Sequence, residues 1–135
     1  MAILSIFPNT PGFSVVMTKE HLPSYAFDND DKTLSDLTLA TKKVAKLLDA
    51  TFEDVGRTGM FYEGFGVNHL HSKLFPMHGI GKMKEWKSNE NGSKIKTFFD
   101  KYPGYLSSHD SERADDVELS KLAARIRETA RKLKT

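Results

Sequence analysis

Two histidines and a lysine occupy alternate positions in one short segment of the sequence. They are His69, His71 and Lys73, within the run GVNHLHSKLFPMH. Because side chains alternate between the two faces of a strand, a strand here would place all three on one face, with Leu70 and Leu74 on the other. Imidazole can donate, accept or attack near neutral pH, and an ammonium adds positive charge. The segment therefore predicts a site for an anion, and for phosphate oxygens in particular.

Spacing alone leaves two other interpretations of this segment open. The three side chains could simply line an exposed strand face. A His-x-His pair can also hold zinc, which would require a third ligand. The candidate histidines for that ligand are His21, His78 and His109. We expect no metal and no cofactor, and the absence of cysteine excludes disulfides, cysteine-ligated metals and a thiol nucleophile.

The elements that must position these side chains are four strands and two helices. Strands are predicted at Ala2–Phe7 and Phe13–Thr18, joined by a turn rich in proline and glycine, and at Arg57–Glu63 and His69–Phe75. A long helix lies between the two pairs. The first two strands, joined by this turn, are predicted to form a hairpin.

The central helix is predicted to begin at Thr33 as the capping residue, with Asp36 three residues further on. Its apolar side chains recur at intervals of three or four and should face the core: Leu34, Leu37, Ala40, Val44, Leu47, Leu48 and Phe52. A second amphipathic helix is predicted from Asp115 to Lys134. We expect one domain over 1–135, with a motif-bearing core at 1–78, a loop and irregular region at 79–113, and the last helix at 114–135.

Composition and charge restrict the function classes. The 135 residues are 39% hydrophobic and 28% charged, as in a globular protein, and no apolar run is long enough for a membrane span. The start has no basic leader, so we expect a cytoplasmic protein with no membrane partner. The net charge of the chain is +2, and its positive charge is concentrated in residues 118–135, which hold six Lys and Arg against two Glu. We interpret that helix as a solvated face and do not expect a nucleic-acid partner.

Two separated motifs resemble the histidine triad (HIT) family. The run HLHSKLF at 69–75 is similar to the triad, His-x-His-x-His followed by apolar residues, and PNTPGFSVVMTKEH at 8–21 is similar to the family's second signature. They occur in the expected order with the helix between them, and the resemblance covers residues 2–78. The tract at 99–110 is similar to the tail of a microbial HIT subgroup.

The resemblance implies a fold and a class of substrate. The expected fold is α+β and HIT-like: an antiparallel sheet packs against a long central helix and a C-terminal helix, and the protein pairs into a homodimer. The expected substrate is a nucleotide. Family members hydrolyse or transfer nucleoside monophosphate units from dinucleoside polyphosphates and nucleoside phosphoramidates, so the implied reactions break phosphoric anhydride or phosphoramidate bonds.

The resemblance also implies residue roles. His71 would attack the α-phosphorus and form a nucleotidyl-histidine intermediate, which is covalent catalysis in two steps. His69 would orient the His71 ring, His21 would lie close to the same phosphate, and Lys73 would supply charge. The implied phosphate-binding residues are Gly64, Gly66, Asn68 and Lys73, because backbone N–H groups at glycine turns can approach phosphate oxygens closely.

The sequence departs from the family pattern in ways that bear on activity. Lys73 replaces the third triad histidine, and an ammonium is a weaker acid than an imidazolium near neutral pH. The loop before the triad has no Gln or Ser/Thr, and Phe13 stands where many relatives carry histidine. The match also begins inside the family's sheet, which leaves two interpretations: the protein is naturally short, or its base pocket is more open. The alternative function is a nucleotide-binding module or sensor with little or no catalysis.

Overall fold

The computed structural model describes residues 1–82, 86, 88, 99–103 and 115–117. The chain divides into two compact units, Met1–Ser88 and Asn89–Thr135, and the elements described here belong to the first. Most of the C-terminal helix predicted from sequence lies outside the described residues, as does most of the predicted 79–113 region. In the described part of the chain, no helix is long and apolar enough to cross a membrane.

One antiparallel sheet forms the frame of the first unit. Its strands are β1 (Ala2–Leu4), β2 (Ser14–Met17), β3 (Thr58–Phe61) and β4 (His71–Pro76), in the order β1-β2-β4-β3. The α+β class and the antiparallel sheet are therefore confirmed. All three neighbouring pairs are antiparallel, and β4, the strand that carries the histidine motif, lies in the interior of the sheet.

Each strand is shorter than the segment predicted for it from the sequence. β4 begins at His71, because the backbone N–H of His69 donates to the Val67 carbonyl in a turn just before it. His69 therefore belongs to the segment that enters the strand. β1 ends at Leu4, four residues before Pro8, a residue that has no N–H to donate to a ladder.

The central helix α1 runs from Asp31 to Thr51, after a short 3-10 turn at Ala26–Asp28. Its cap is Asp30, so the prediction of a Thr33 cap is wrong. The Asp30 side chain accepts hydrogen bonds from the backbone N–H of Thr33 at 2.9 Å and from its hydroxyl at 2.6 Å. Thr33 is therefore the third residue of the helix and donates to the cap, whereas a capping Thr33 would have accepted from N–H groups further along the chain.

The helix packs on one face of the sheet, and His71 and Lys73 of β4 lie on the opposite face. Val16 of β2 and Leu74 of β4 join Leu37 and Leu48 of α1 in the core. Two residues predicted for the apolar stripe, Ala40 and Leu47, are exposed. Thr41 is buried instead, because its hydroxyl meets the buried hydroxyl of Ser72 on β4 at 2.6 Å.

Candidate active site

His71 lies at the start of β4, on the face of the strand opposite to Ser72 and Leu74. Its side chain is buried, with a relative exposure of 7%. Its ring Nδ1 lies 2.6 Å from the backbone carbonyl oxygen of His69. Because a carbonyl oxygen only accepts, Nδ1 must carry the hydrogen, and the neutral ring then has its lone pair on Nε2. This is the tautomer that a nucleophile acting through Nε2 requires.

The His69 ring is held by one residue of the segment that follows β2. Its Nε2 lies 3.0 Å from the Thr18 carbonyl oxygen and 3.1 Å from the Thr18 hydroxyl oxygen. The hydroxyl donates its single hydrogen to the Glu20 carbonyl at 2.8 Å, so both oxygens of Thr18 accept from the Nε2–H of His69. Thr18 thus fixes the orientation of His69, whose carbonyl in turn holds His71.

His21 reaches the same cluster because two chain segments run side by side. The Leu70 backbone N–H donates to Leu22 at 3.0 Å, and the Thr18 N–H donates to Leu70 at 3.4 Å. These bonds bring the exposed His21 ring to 5.4 Å from the His69 ring, centroid to centroid, at an interplanar angle of 68°. The structure therefore brings the His21 and His69 rings together, and the His69 backbone carbonyl joins them to His71.

Lys73 lies on the same face as His71 but is already paired. Its ammonium forms an ion pair with the Glu63 carboxylate, and both side chains are partly buried, at 25% and 15% relative exposure. On this face Lys73 lies between Val15 of β2 and Phe61 of β3 in the strand registers. The charge expected for a phosphate is therefore present but committed to a carboxylate.

The three residues predicted to surround a phosphate in the loop before β4 have different environments. Gly64 has φ of +72°, and a Cβ there would lie 2.7 Å from the Ser24 carbonyl oxygen. Glycine is required there by close backbone approach and by the left-handed conformation. The Asn68 side-chain oxygen accepts from the Ser24 N–H at 3.3 Å. Gly66 is exposed, with no heavy atom near enough to meet an added Cβ.

His78 lies beyond the far end of β4 and does not join this cluster. Its Nε2 lies 2.9 Å from the Pro11 carbonyl and its Nδ1 lies 3.1 Å from both oxygens of Asp54. The Pro11 carbonyl, and then the carboxylate, raise the pKa of His78 above its ordinary 6.5. The Gly79 N–H, and then His78, lower the pKa of Asp54. His78 therefore links the turn at Pro11, the segment at Asp54 after α1 and its own segment after β4.

No three His, Asp or Glu side chains cluster as a metal site in the part of the chain that is described, and His109 lies outside that part. A cavity of about 360 Å³ opens between the end of β2 and the first half of α1. Its lining includes Thr18, Leu22 and Leu37 but none of the described histidines. The histidine cluster, rather than this cavity, is therefore the candidate active site.

The fold and the cluster together define a class of protein. It is an α+β protein with a strand-borne histidine whose tautomer is fixed for attack through Nε2, beside two further histidines and an ammonium. A family model described as the HIT domain matches residues 1–84. The chain therefore belongs to the HIT family, whose members are in general nucleotide-binding hydrolases and transferases. No curated protein matches the chain.

Sequence reasoning missed two residues of this site. Thr18 lies within the second signature at 8–21, but only the pairing of β2 with β4 shows that it meets His69. Glu63 ends a predicted strand, and period-2 alternation from Phe61 would place it on the same face as Lys73. Charge complementarity across neighbouring strands could have indicated that pair, provided that the strand order was known.

Proposed function

We propose that this protein hydrolyses or transfers the nucleoside monophosphate unit of nucleotide conjugates through a nucleotidyl-histidine intermediate on His71. The single observation that carries the proposal is the hydrogen bond from Nδ1 of His71 to the His69 carbonyl, which leaves the Nε2 lone pair for attack. The proposed substrates are dinucleoside polyphosphates and nucleoside phosphoramidates.

The proposed reaction has two balanced steps. In the first, Nε2 of His71 forms a bond to the α-phosphorus, the bond from phosphorus to the leaving oxygen or nitrogen breaks, and the leaving group takes a proton from solvent. In the second, a water oxygen attacks the same phosphorus, the P–N bond breaks and the attacking water returns a proton to solvent. His71 regains its lone pair and a nucleoside monophosphate is released. In a transfer reaction, another nucleophile replaces the water.

The residues around His71 have supporting roles in this proposal. His69 supplies the carbonyl that holds the His71 ring, and His21, whose ring lies beside that of His69, has the role of contacting a phosphate oxygen. Lys73 supplies positive charge, and the backbone at Gly64 and Gly66 remains the proposed phosphate-binding loop. Gly64 already allows a close approach to another backbone segment, that of Ser24.

The test compares wild type with His71→Ala on adenosine 5′-phosphoramidate and diadenosine tetraphosphate. We expect His71→Ala to lower kcat/KM by about a thousandfold or more, since the covalent route is lost. His78→Ala, which removes a histidine outside the cluster, is the matched control and should retain most activity. Intact mass after an alkaline quench should show a nucleotidyl adduct in wild type. Equal turnover by wild type and His71→Ala would contradict the proposal.

One observation favours a second candidate function, a nucleotide-binding module with little catalysis. Lys73 is paired with Glu63, so the third triad position presents no uncommitted charge in the described part of the chain. This candidate predicts that nucleoside monophosphates bind in calorimetry while no adduct accumulates and no conjugate is cleaved. Turnover that depends on His71 would eliminate it.

The proposal also includes a homodimer, which the family resemblance implies. Light scattering after size-exclusion chromatography measures the mass of the full chain in solution. A mass of about twice 15.2 kDa would support the dimer, and a monomer mass at the concentration of the activity assay would contradict it.

A further inference from the structure

The Glu63–Lys73 ion pair lies beside the proposed nucleophile. Lys73 follows His71 by two residues on β4, so their Cα atoms are about 7 Å apart and their side chains leave the same face. Both members of the pair are partly buried, so their attraction is less screened than that of a surface pair. A phosphate that reaches Lys73 must therefore compete with a carboxylate that is already in contact with it.

The carboxylate is held in place by the loop that follows it. Gly64 lies against the Ser24 carbonyl, and Asn68 of the same loop accepts a hydrogen bond from the Ser24 N–H. Leu70, at the end of the loop, donates to the Leu22 carbonyl. Two hydrogen bonds and one close backbone contact thus restrain this loop, so rotation of the Glu63 side chain is the simplest way for a ligand to displace its carboxylate.

We propose that Glu63 is a specificity-determining residue that disfavours substrates whose leaving group carries several negative charges. This inference rests on the proposed function, because it concerns the leaving group at the same site. A polyphosphate meets the Glu63 carboxylate as a like charge and finds the Lys73 ammonium occupied. A conjugate whose leaving group is an uncharged amine or alcohol is not repelled by the Glu63 carboxylate and depends less on the Lys73 ammonium. The preferred substrates are therefore conjugates of a nucleoside monophosphate with an uncharged leaving group.

The test uses Glu63→Gln, which keeps the shape and hydrogen-bonding capacity of the side chain and removes its charge. We compare kcat/KM for adenosine 5′-phosphoramidate and diadenosine tetraphosphate, and the Kd values of AMP and ATP. In Glu63→Gln we expect the ratio of kcat/KM for the tetraphosphate to that for the phosphoramidate to rise about tenfold, the order of magnitude for removing one partly screened like charge beside the leaving group. The affinity for ATP relative to AMP should rise by a similar factor.

Two further variants make the outcome specific. Glu53→Gln makes the same change of net charge in the exposed segment after α1, and both ratios should stay within about twofold of wild type. Glu63→Asp keeps the charge on a shorter side chain, and its ratios should lie between those of wild type and Glu63→Gln. If circular dichroism shows that Glu63→Gln is unfolded, the ratios measured for Glu63→Asp test the role of Glu63 instead.

The outcomes separate this inference from the proposed function. A folded Glu63→Gln that leaves both ratios unchanged, or that matches Glu53→Gln, overturns the role of Glu63 while His71-dependent turnover still stands. Wild type that binds AMP but cleaves neither substrate overturns the proposed catalysis, and the AMP and ATP affinities then decide the role of Glu63. A protein that binds neither nucleotide overturns both.

Discussion

The buried hydroxyl pair between Thr41 and Ser72 makes a sharp prediction about stability. The Thr41 hydroxyl donates to the Leu37 carbonyl at 2.8 Å, and its oxygen lies 2.6 Å from that of Ser72. Because the single hydrogen of Thr41 goes to Leu37, the Ser72 hydroxyl must be the donor in the second bond. The two residues therefore depend on each other unequally, since Ser72 needs Thr41 as an acceptor but Thr41 keeps its own acceptor without Ser72.

This asymmetry sets the expected magnitudes. Thr41→Val keeps the side-chain shape but leaves the Ser72 donor unsatisfied at 0% exposure, which should cost about 2 kcal/mol. Ser72→Ala removes the donor itself and should cost about 1 kcal/mol. The double variant no longer contains an unsatisfied donor, so it should lose only about 1 kcal/mol and be more stable than Thr41→Val alone.

The assay is urea unfolding followed by far-UV circular dichroism, with an unchanged m-value as the condition for comparing free energies of unfolding. Thr38→Val is the matched control. Thr38 also donates to the carbonyl four residues earlier and contacts a hydroxyl, that of Tyr62 at 2.9 Å, but it is exposed to water. Its loss should cost less than about 0.5 kcal/mol. Additive costs in the double variant, near 3 kcal/mol, would refute the assigned direction of the Ser72 hydrogen bond.

Two other predictions concern the loops on either side of the sheet. Gly64→Ala should destabilise the protein by at least about 2 kcal/mol in the same urea assay, because φ is +72° and the new Cβ would meet the Ser24 carbonyl, whereas Gly66→Ala should cost less than about 0.5 kcal/mol. Equal costs would contradict the close approach. Because the pKa of His78 is raised in the folded protein, the protonated imidazole stabilises the fold. The stabilisation is complete at pH values below the ordinary pKa of 6.5 and decreases as the pH rises through the raised pKa. The stability difference between wild type and His78→Gln should therefore shrink from about pH 5.5 to about pH 8.5, and a difference that grows would contradict it.

The local patterns in the sequence predicted the elements of the fold well. The β-branched residues located β2, the alternation of side chains located β4, and the spacing of Leu37 and Leu48 located the face of α1 that packs on the sheet. These signals are local, because strand and helix periodicities repeat within a few residues. The cap of α1 was displaced by one turn, since Asp30 and Thr33 are both good capping residues and only the backbone conformation decides between them.

The contacts that join distant segments could not be predicted in the same way. The polar pair of Thr41 and Ser72 joins positions 31 residues apart, and a threonine within an apolar helix stripe carries no sign that it is buried. The bond between Thr18 and His69 joins positions 51 residues apart. The same-face placement of His71 and Lys73 followed from period 2, but the partner that pairs with Lys73 depends on the position of the loop after β3.

The two faces of β4 are linked through its register. A shift of β4 by one residue against its neighbours would turn His71 and Lys73 toward α1 and expose Leu74. A shift by two residues would keep the faces but place Leu70 or Leu74 opposite Thr41, where neither side chain can donate a hydrogen bond to the threonine oxygen. The Ser72 hydroxyl therefore distinguishes the native register from its nearest same-face alternative. A hydroxyl pair on the face away from the site thus helps to determine where His71 is placed.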